Sequence, residues 1–160
     1  MTVNHKNYYL RSISKSDLKI YSKSDWIKNI ACNDDLFLKK NEGTNKWLIE
    51  SLPKRMIFDL MYGDLIQQNF KKKLKILDVG GGINLLQKYI SKKHDLTVVD
   101  ILSHDKKLAS EEYCKYNKIN LIQNDWYNFL SIKSDYDLII SNDLFPNVDQ
   151  RLGLFIDITK

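Results

Sequence analysis

The chain has 160 residues, only two cysteines, three scattered histidines and no long apolar run. Cys32 and Cys114 lie far apart and form no C-x-x-C motif. Neither a zinc site nor a disulfide framework is expected, and two free thiols fit a reducing cytoplasm. A membrane-crossing helix needs about 18 or more consecutive apolar residues, and no such stretch occurs. Met1 to Leu10 is polar and aromatic and lacks the apolar centre of a secretory signal. No glycine turn runs on into Gly-Lys-Ser/Thr, which excludes a P-loop. The chain also has no internal repeat and no low-complexity linker.

Hydrophobic residues make up 43% and charged residues 28%, an ordinary balance for a globular protein. The length suffices for one domain with a real core. The net charge of +5 is unevenly placed. Residues 1–72 hold 13 Lys/Arg against 8 Asp/Glu, whereas residues 73–160 hold 12 of each. The basic excess is either a rim that attracts an acidic substrate or a lysine-rich solvated helical surface. Lysine is common along the whole chain, which favours the second.

Two textures divide the sequence. Helical signals run from Ser14 to Phe70. Ser24 and Asp25 can cap a helix carrying Trp26, Ile27 and Ile30. Asn41 to Asn45 reads as a polar break. Trp47, Leu48, Leu52, Ile57, Leu60, Met61 and Leu65 then recur at three- and four-residue spacing, as in one or two amphipathic helices, with Pro53 at a first turn or a kink. After Lys71-Lys72-Lys73, short apolar strands alternate with helices. Strands are expected at Lys75–Val79, Leu96–Asp100, Ile119–Ile122 and Tyr136–Ile140. Helices are expected at Leu85–Ile90, at about Asp105–Tyr116 and within residues 149–160. Such alternation implies an α/β, doubly wound, mostly parallel sheet covered on both faces, following an N-terminal helical segment over residues 1–72. Ligands of such sheets bind at the carboxyl ends of the strands.

Chemistry-bearing residues cluster at those ends. Ile76-Leu77-Asp78-Val79 runs into Gly80-Gly81-Gly82, where glycines permit tight turns and close ligand approach and a helix start offers free N–H donors. A tight strand–helix turn without a ligand would look the same. Asp100 follows Asp78 by 22 residues. A carboxylate there can accept two hydrogen bonds from a ribose diol, or simply act as a cap. Asp125-Trp126 follows the third strand. An acid there can accept from an exocyclic amine while the indole covers a purine, or it is a capping Asp beside a core Trp.

In this order, Asp78-x-Gly80-x-Gly82, Asp100, Asp125-Trp126 and Asp137 through Asn142 resemble the motifs of class I S-adenosylmethionine (SAM)-dependent methyltransferases, over roughly residues 74–150. The resemblance implies a Rossmann-like core and SAM as cofactor. Gly80 and Gly82 would let the backbone approach the methionine part, with Asp78 near its amino group. Asp100 would bind the ribose hydroxyls and Asp125 the adenine amine, with Trp126 beside the ring. Asn142 would offer its backbone carbonyl to the methionine amino group. Where the family often has a third glycine, this chain has Asn84, a residue that tolerates left-handed backbone. A dinucleotide fingerprint is disfavoured, because Leu85 replaces its third glycine and Asp78 would face a pyrophosphate.

Ser141 to Pro146 is the segment expected to touch substrate. It lacks the Asn/Asp-Pro-Pro-Tyr/Phe motif of enzymes that methylate planar nitrogens, so a small-molecule acceptor, a metabolite or glycan precursor, is expected. Phe145-Pro146 also suits a helix entry with Phe in the core. His104 and Asp143 are the candidate general bases, each more readily read as a plain loop residue. Tyr8, Tyr9, Trp26 and Trp47 belong to a lid over the substrate or pack the helices on the sheet. A nucleic-acid methyltransferase binding through residues 1–72, and a noncatalytic module working through protein contacts, are the alternatives. The family fold has seven strands and this chain signals four, so a C-terminally incomplete, self-associating core is the expectation.

Overall fold

A computed structural model describes residues 12–33, 43–103, 107–130, 135–142, 144–145 and 149–159, without the side chains of residues 43–45. Tyr8, Tyr9, His104, Asp143 and Pro146 lie outside the described residues.

The Val/Ile/Leu-rich runs pair as a parallel sheet. β1 (Lys75–Val79) lies between β2 (Asp95–Val99) and β4 (Leu138–Ser141), and β3 (Asn120–Ile122) lies beyond β2. All three pairings are parallel, in the order β3-β2-β1-β4. Successive strands step outward from β1 to β3, and the chain then crosses back to β4. That reversal makes the carboxyl ends of β1 and β4 a topological switch point, where such sheets open a crevice. The second strand stops at Val99, so Asp100 is the first residue beyond it.

Alternate strand residues face opposite ways. Ile76, Leu96 and Val98 enter one core cluster, and Leu77, Val79 and Val99 enter the other. The first cluster also receives Ile27, Leu48, Phe58, Tyr62 and Leu65 from the N-terminal helices. These are α1 (Lys15–Tyr21), α2 (Trp26–Asn33), α3 (Gly43–Glu50) and α4 (Leu52–Gln67). They therefore share the core of the sheet. α5 (Leu85–Ser91) and α6 (Lys107–Tyr116) follow β1 and β2, while α7 (Trp126–Leu130) and α8 (Leu152–Ile158) serve the second face.

Local chemistry explains the helix ends. Asp25 accepts from the Lys28 N–H, as its capping position suggests. The expected polar break is partly helical, because α3 begins at Gly43. Ser51 caps α4 and Pro53 lies in its first turn, where a missing N–H costs nothing. Of the two N-terminal tryptophans, Trp26 packs against the core and donates from Nε1 to Asp59 at 2.8 Å, whereas Trp47 is exposed. Among the described residues no helix is long and apolar enough to cross a membrane.

Two polar ties hold the N-terminal helices in place. Arg55 of α4 is buried. Its Nε donates to Asp25 at 2.8 Å, and its Nη1 donates to the carbonyls of Leu48 and Ile49. It thus joins α2, α3 and α4. His94, also buried, accepts from the Leu74 N–H at Nδ1 and faces the Leu65 carbonyl with Nε2 at 3.1 Å. That geometry calls for the tautomer protonated on Nε2 and ties the end of α4 to the sheet.

Removing one member of a buried pair leaves the other charge without its partner. Arg55→Ala is expected to cost about 3–5 kcal/mol. Urea unfolding followed by circular dichroism would measure it. A loss under about 1 kcal/mol would show that Asp25 finds water instead.

Candidate functional site

The site is built on Asp78 near the carboxyl end of the central strand, in register with Val98 on one side and Ile140 on the other. Asp78 is fully buried. Its Oδ2 accepts from Gln87 Nε2 at 2.8 Å, while Oδ1 has no hydrogen-bond partner among the described residues. Burial is the main influence on this carboxyl and pushes its pKa up to about 6. The Gln87 hydrogen bond and the neighbouring Tyr62 hydroxyl oppose the rise, and the nearby Asp100 charge adds to it.

The glycine turn wraps this carboxylate. Gly80 and Gly82 both have positive φ, at 66° and 62°. A Cβ on Gly80 would also lie 2.7 Å from the Leu144 side chain, and one on Gly81 would lie 3.0 Å from Asp78 Oδ1. The turn therefore requires glycine at Gly80 for both backbone and space.

Asn84 does not take the left-handed role open to it. It is extended, with φ −134°, and caps α5. Its side-chain oxygen accepts from the N–H groups of Leu86 and Gln87, so those donors at the helix start are already taken. Gln87 returns a bond to the Asn84 N–H and also donates to the Gly82 carbonyl. One glutamine thus joins the strand acid, the glycine turn and the helix. Sequence reasoning missed Gln87, although the Asn-x-x-Gln spacing of a capping box was there to be read.

Asp100, just beyond β2, holds the same turn. Its Oδ2 accepts from the Gly82 N–H at 2.9 Å and its Oδ1 from the Leu102 N–H at 2.6 Å. It is a loop organiser, as its capping alternative suggests. A carboxylate has about four lone-pair sites, so acceptor capacity for two hydroxyls remains. Asn142 follows β4, and its side chain lies within hydrogen-bonding influence of the Tyr62 hydroxyl. The structure therefore gathers Asp78, Gly80, Gly82, Asp100 and Asn142 around the ends of β1, β2 and β4.

Asp125 and Trp126 belong to a different arrangement. Asp125 caps α7 through the Tyr127 N–H and pairs with Arg151 at 2.8 Å, which holds its carboxyl below the usual range. Trp126 is buried in the second core cluster and donates from Nε1 to Asp149. Phe145 and Phe155 meet the indole edge-on, and the Arg151 guanidinium lies 4.8 Å from its ring centroid. In this conformation Trp126 offers no open face to a purine. Phe145 is partly buried and packs against this cluster.

Two clefts of about 300 and 370 Å³ open at the other end of the sheet, by the amino ends of the strands. Lys71, Lys72, Lys73 and Lys93 line the first. Three of these lysines are engaged: Lys72 with Asp137, Lys73 with Asp95 and Lys93 with the Gln68 carbonyl. Neither of these two clefts is lined by the buried acid. No cluster of His, Cys, Asp and Glu suited to a metal occurs among the described residues. The base candidates His104 and Asp143 lie outside those residues.

The buried Asp78 charge has a measurable signature. Folding raises its pKa, so the unfolded chain ionises this group first as pH rises. Stability then falls between about pH 4 and pH 6 and stays level above, a cost on the order of 2–3 kcal/mol. Asp78→Asn keeps an acceptor for Gln87 without the charge. It is expected to stabilise the ligand-free fold by about 1–3 kcal/mol at pH 7.5 and to lose that gain near pH 4. Thermal and urea unfolding at both pH values would test this. A variant less stable than wild type at pH 7.5 would overturn it.

Comparison with known protein families gives no match, and neither the curated proteins nor the solved structures provide one.

Proposed function

We propose that this chain has a Rossmann-like SAM-binding fold and transfers a methyl group from SAM to a small-molecule acceptor. The observation that carries the reading is the fully buried Asp78, with one oxygen lacking a partner among the described residues, against a glycine turn at the switch point. Natural folds rarely leave a buried carboxylate oxygen without a hydrogen bond, and such groups concentrate at functional sites. A group bearing several N–H donors and a positive charge, such as the methionine ammonium of SAM, suits that oxygen. Asp100 supports the ribose assignment, being anchored yet still able to accept.

SAM carries its methyl on a sulfonium, which is already a good leaving group. The protein's part is alignment and exclusion of water. Asp78 orients the amino-acid end, and positive φ at Gly80 and Gly82 keeps the turn close to the ligand. Asp100 fixes the turn through Gly82 and would bind the sugar edge. The Asn142 carbonyl is the second acceptor proposed for the ammonium. The adenine assignment to Asp125 and Trp126 has the least support, because Arg151 engages both. The acceptor is proposed to be small because Ser141 to Pro146 lacks the Asn-Pro-Pro-Tyr pattern.

A nucleic-acid substrate is the second reading, favoured by the lysine-lined cleft. It is the weaker one, because three of those lysines already have partners. It requires RNA or DNA affinity that falls steeply with salt.

Calorimetric titration with SAM and S-adenosylhomocysteine is the test. Micromolar binding is expected, on the order of −8 kcal/mol, weakened at least about tenfold in Asp100→Ala through lost hydrogen bonds to a charged group. A folded chain that binds neither ligand at millimolar concentration would sink the reading.

A further inference from the structure

A residue outside every motif points at the same carboxylate. Tyr62 belongs to α4, in the N-terminal helical segment, and is completely buried. Its ring stacks on Phe58, with centroids 5.7 Å apart and planes 20° from parallel. The ring alone would satisfy this core position, and phenylalanine would serve there equally well. The hydroxyl is the unexplained part. It lies beside Asp78 and Asn142, close enough for both to influence its ionisation, yet it makes no well-formed hydrogen bond among the described residues. Asp78 Oδ1 is likewise without a partner.

Two adjacent buried polar atoms without a well-formed hydrogen bond are costly to a fold, since each exchanges water for a poorer partner. Burial and the Asp78 charge hold the Tyr62 hydroxyl protonated at neutral pH. Asp78 Oδ1 can only accept when ionised, and the phenol oxygen can also accept. A primary ammonium has three donors and fits this pair of acceptors better than a neutral or anionic group does.

We propose that Tyr62 is a ligand-binding residue: its hydroxyl and Asp78 Oδ1 together receive the ammonium of SAM. The proposal rests on the SAM reading above. It makes the N-terminal helices part of the cofactor site rather than a cover over the substrate alone. α4 is held by Arg55 and His94, so the position of the hydroxyl depends on those two ties.

The test uses the full 160-residue chain and two ligands that differ at the amino-acid end. S-adenosylhomocysteine carries the ammonium. 5′-Methylthioadenosine lacks the whole amino-acid part, and its affinity is measured by competition against S-adenosylhomocysteine. Tyr62→Phe is expected to weaken S-adenosylhomocysteine about tenfold. The affinity for 5′-methylthioadenosine should stay within about twofold, and the ligand-free melting temperature should shift by no more than about 4–8 °C. Equal losses for both ligands would mark Tyr62 as merely structural. No loss for S-adenosylhomocysteine would remove it from the site. Either result overturns the Tyr62 assignment and leaves the cofactor standing. A folded wild-type chain that binds neither ligand, or in which 5′-methylthioadenosine fails to compete, would overturn the SAM reading and this inference with it.

Discussion

The hydrogen bond from Gln87 to the buried Asp78 carboxylate is the constraint on which the site depends. Asp78 stands in the central strand, paired on both sides, so its backbone cannot retreat. Its charge is therefore forced into a medium that disfavours it. Gln87 satisfies one oxygen and at the same time binds the Gly82 carbonyl and the Asn84 N–H. The strand, the turn and α5 are locked as one unit around a carboxylate left half-satisfied. This is local strain of an electrostatic kind, offset by the apolar packing of Ile76, Leu77 and Val79 around it.

The N-terminal helices are joined to that unit through one continuous core. Ile27, Leu48, Phe58 and Leu65 pack in the same cluster as Ile76 and Val98. Arg55 collects α2, α3 and α4 by charge and carbonyl contacts, and His94 links α4 to the start of β1 through Leu65 and Leu74. Tyr62 can reach the carboxylate because both ties fix its helix. The other face is organised around Trp126, whose indole is enclosed by Phe145, Phe155 and Arg151. Arg151 pairs with both Asp125 and Asp149 there, an exposed network whose strength would weaken with salt.

Strand and helix periods were legible in the sequence to within a residue or two. Lys75–Val79 matches its expected span, and Pro53 falls in a first turn as its fixed φ requires. Asp25 caps its helix as its spacing from Trp26 suggests. α7, Trp126–Leu130, is too short to show a helical period, and the acid before it suits a cap as well as a ligand group. Asn84 behaved as a cap for the same reason. A short polar side chain next to free N–H groups bonds them before it does anything else.

Sequence alone determined the alternation of apolar runs with helices, the glycine turn and the order of the acids, because these depend on near neighbours and on backbone limits of single residues. Tertiary structure alone decided which acids stand together. Asp78 and Asp100 flank one turn, whereas Asp125 is drawn to Arg151, 26 residues later. It also brought Tyr62 to Asp78 across the break between helices and sheet. Such pairings are set by how α4 and α8 dock on a sheet, and docking depends on the summed burial of many side chains rather than on any local pattern.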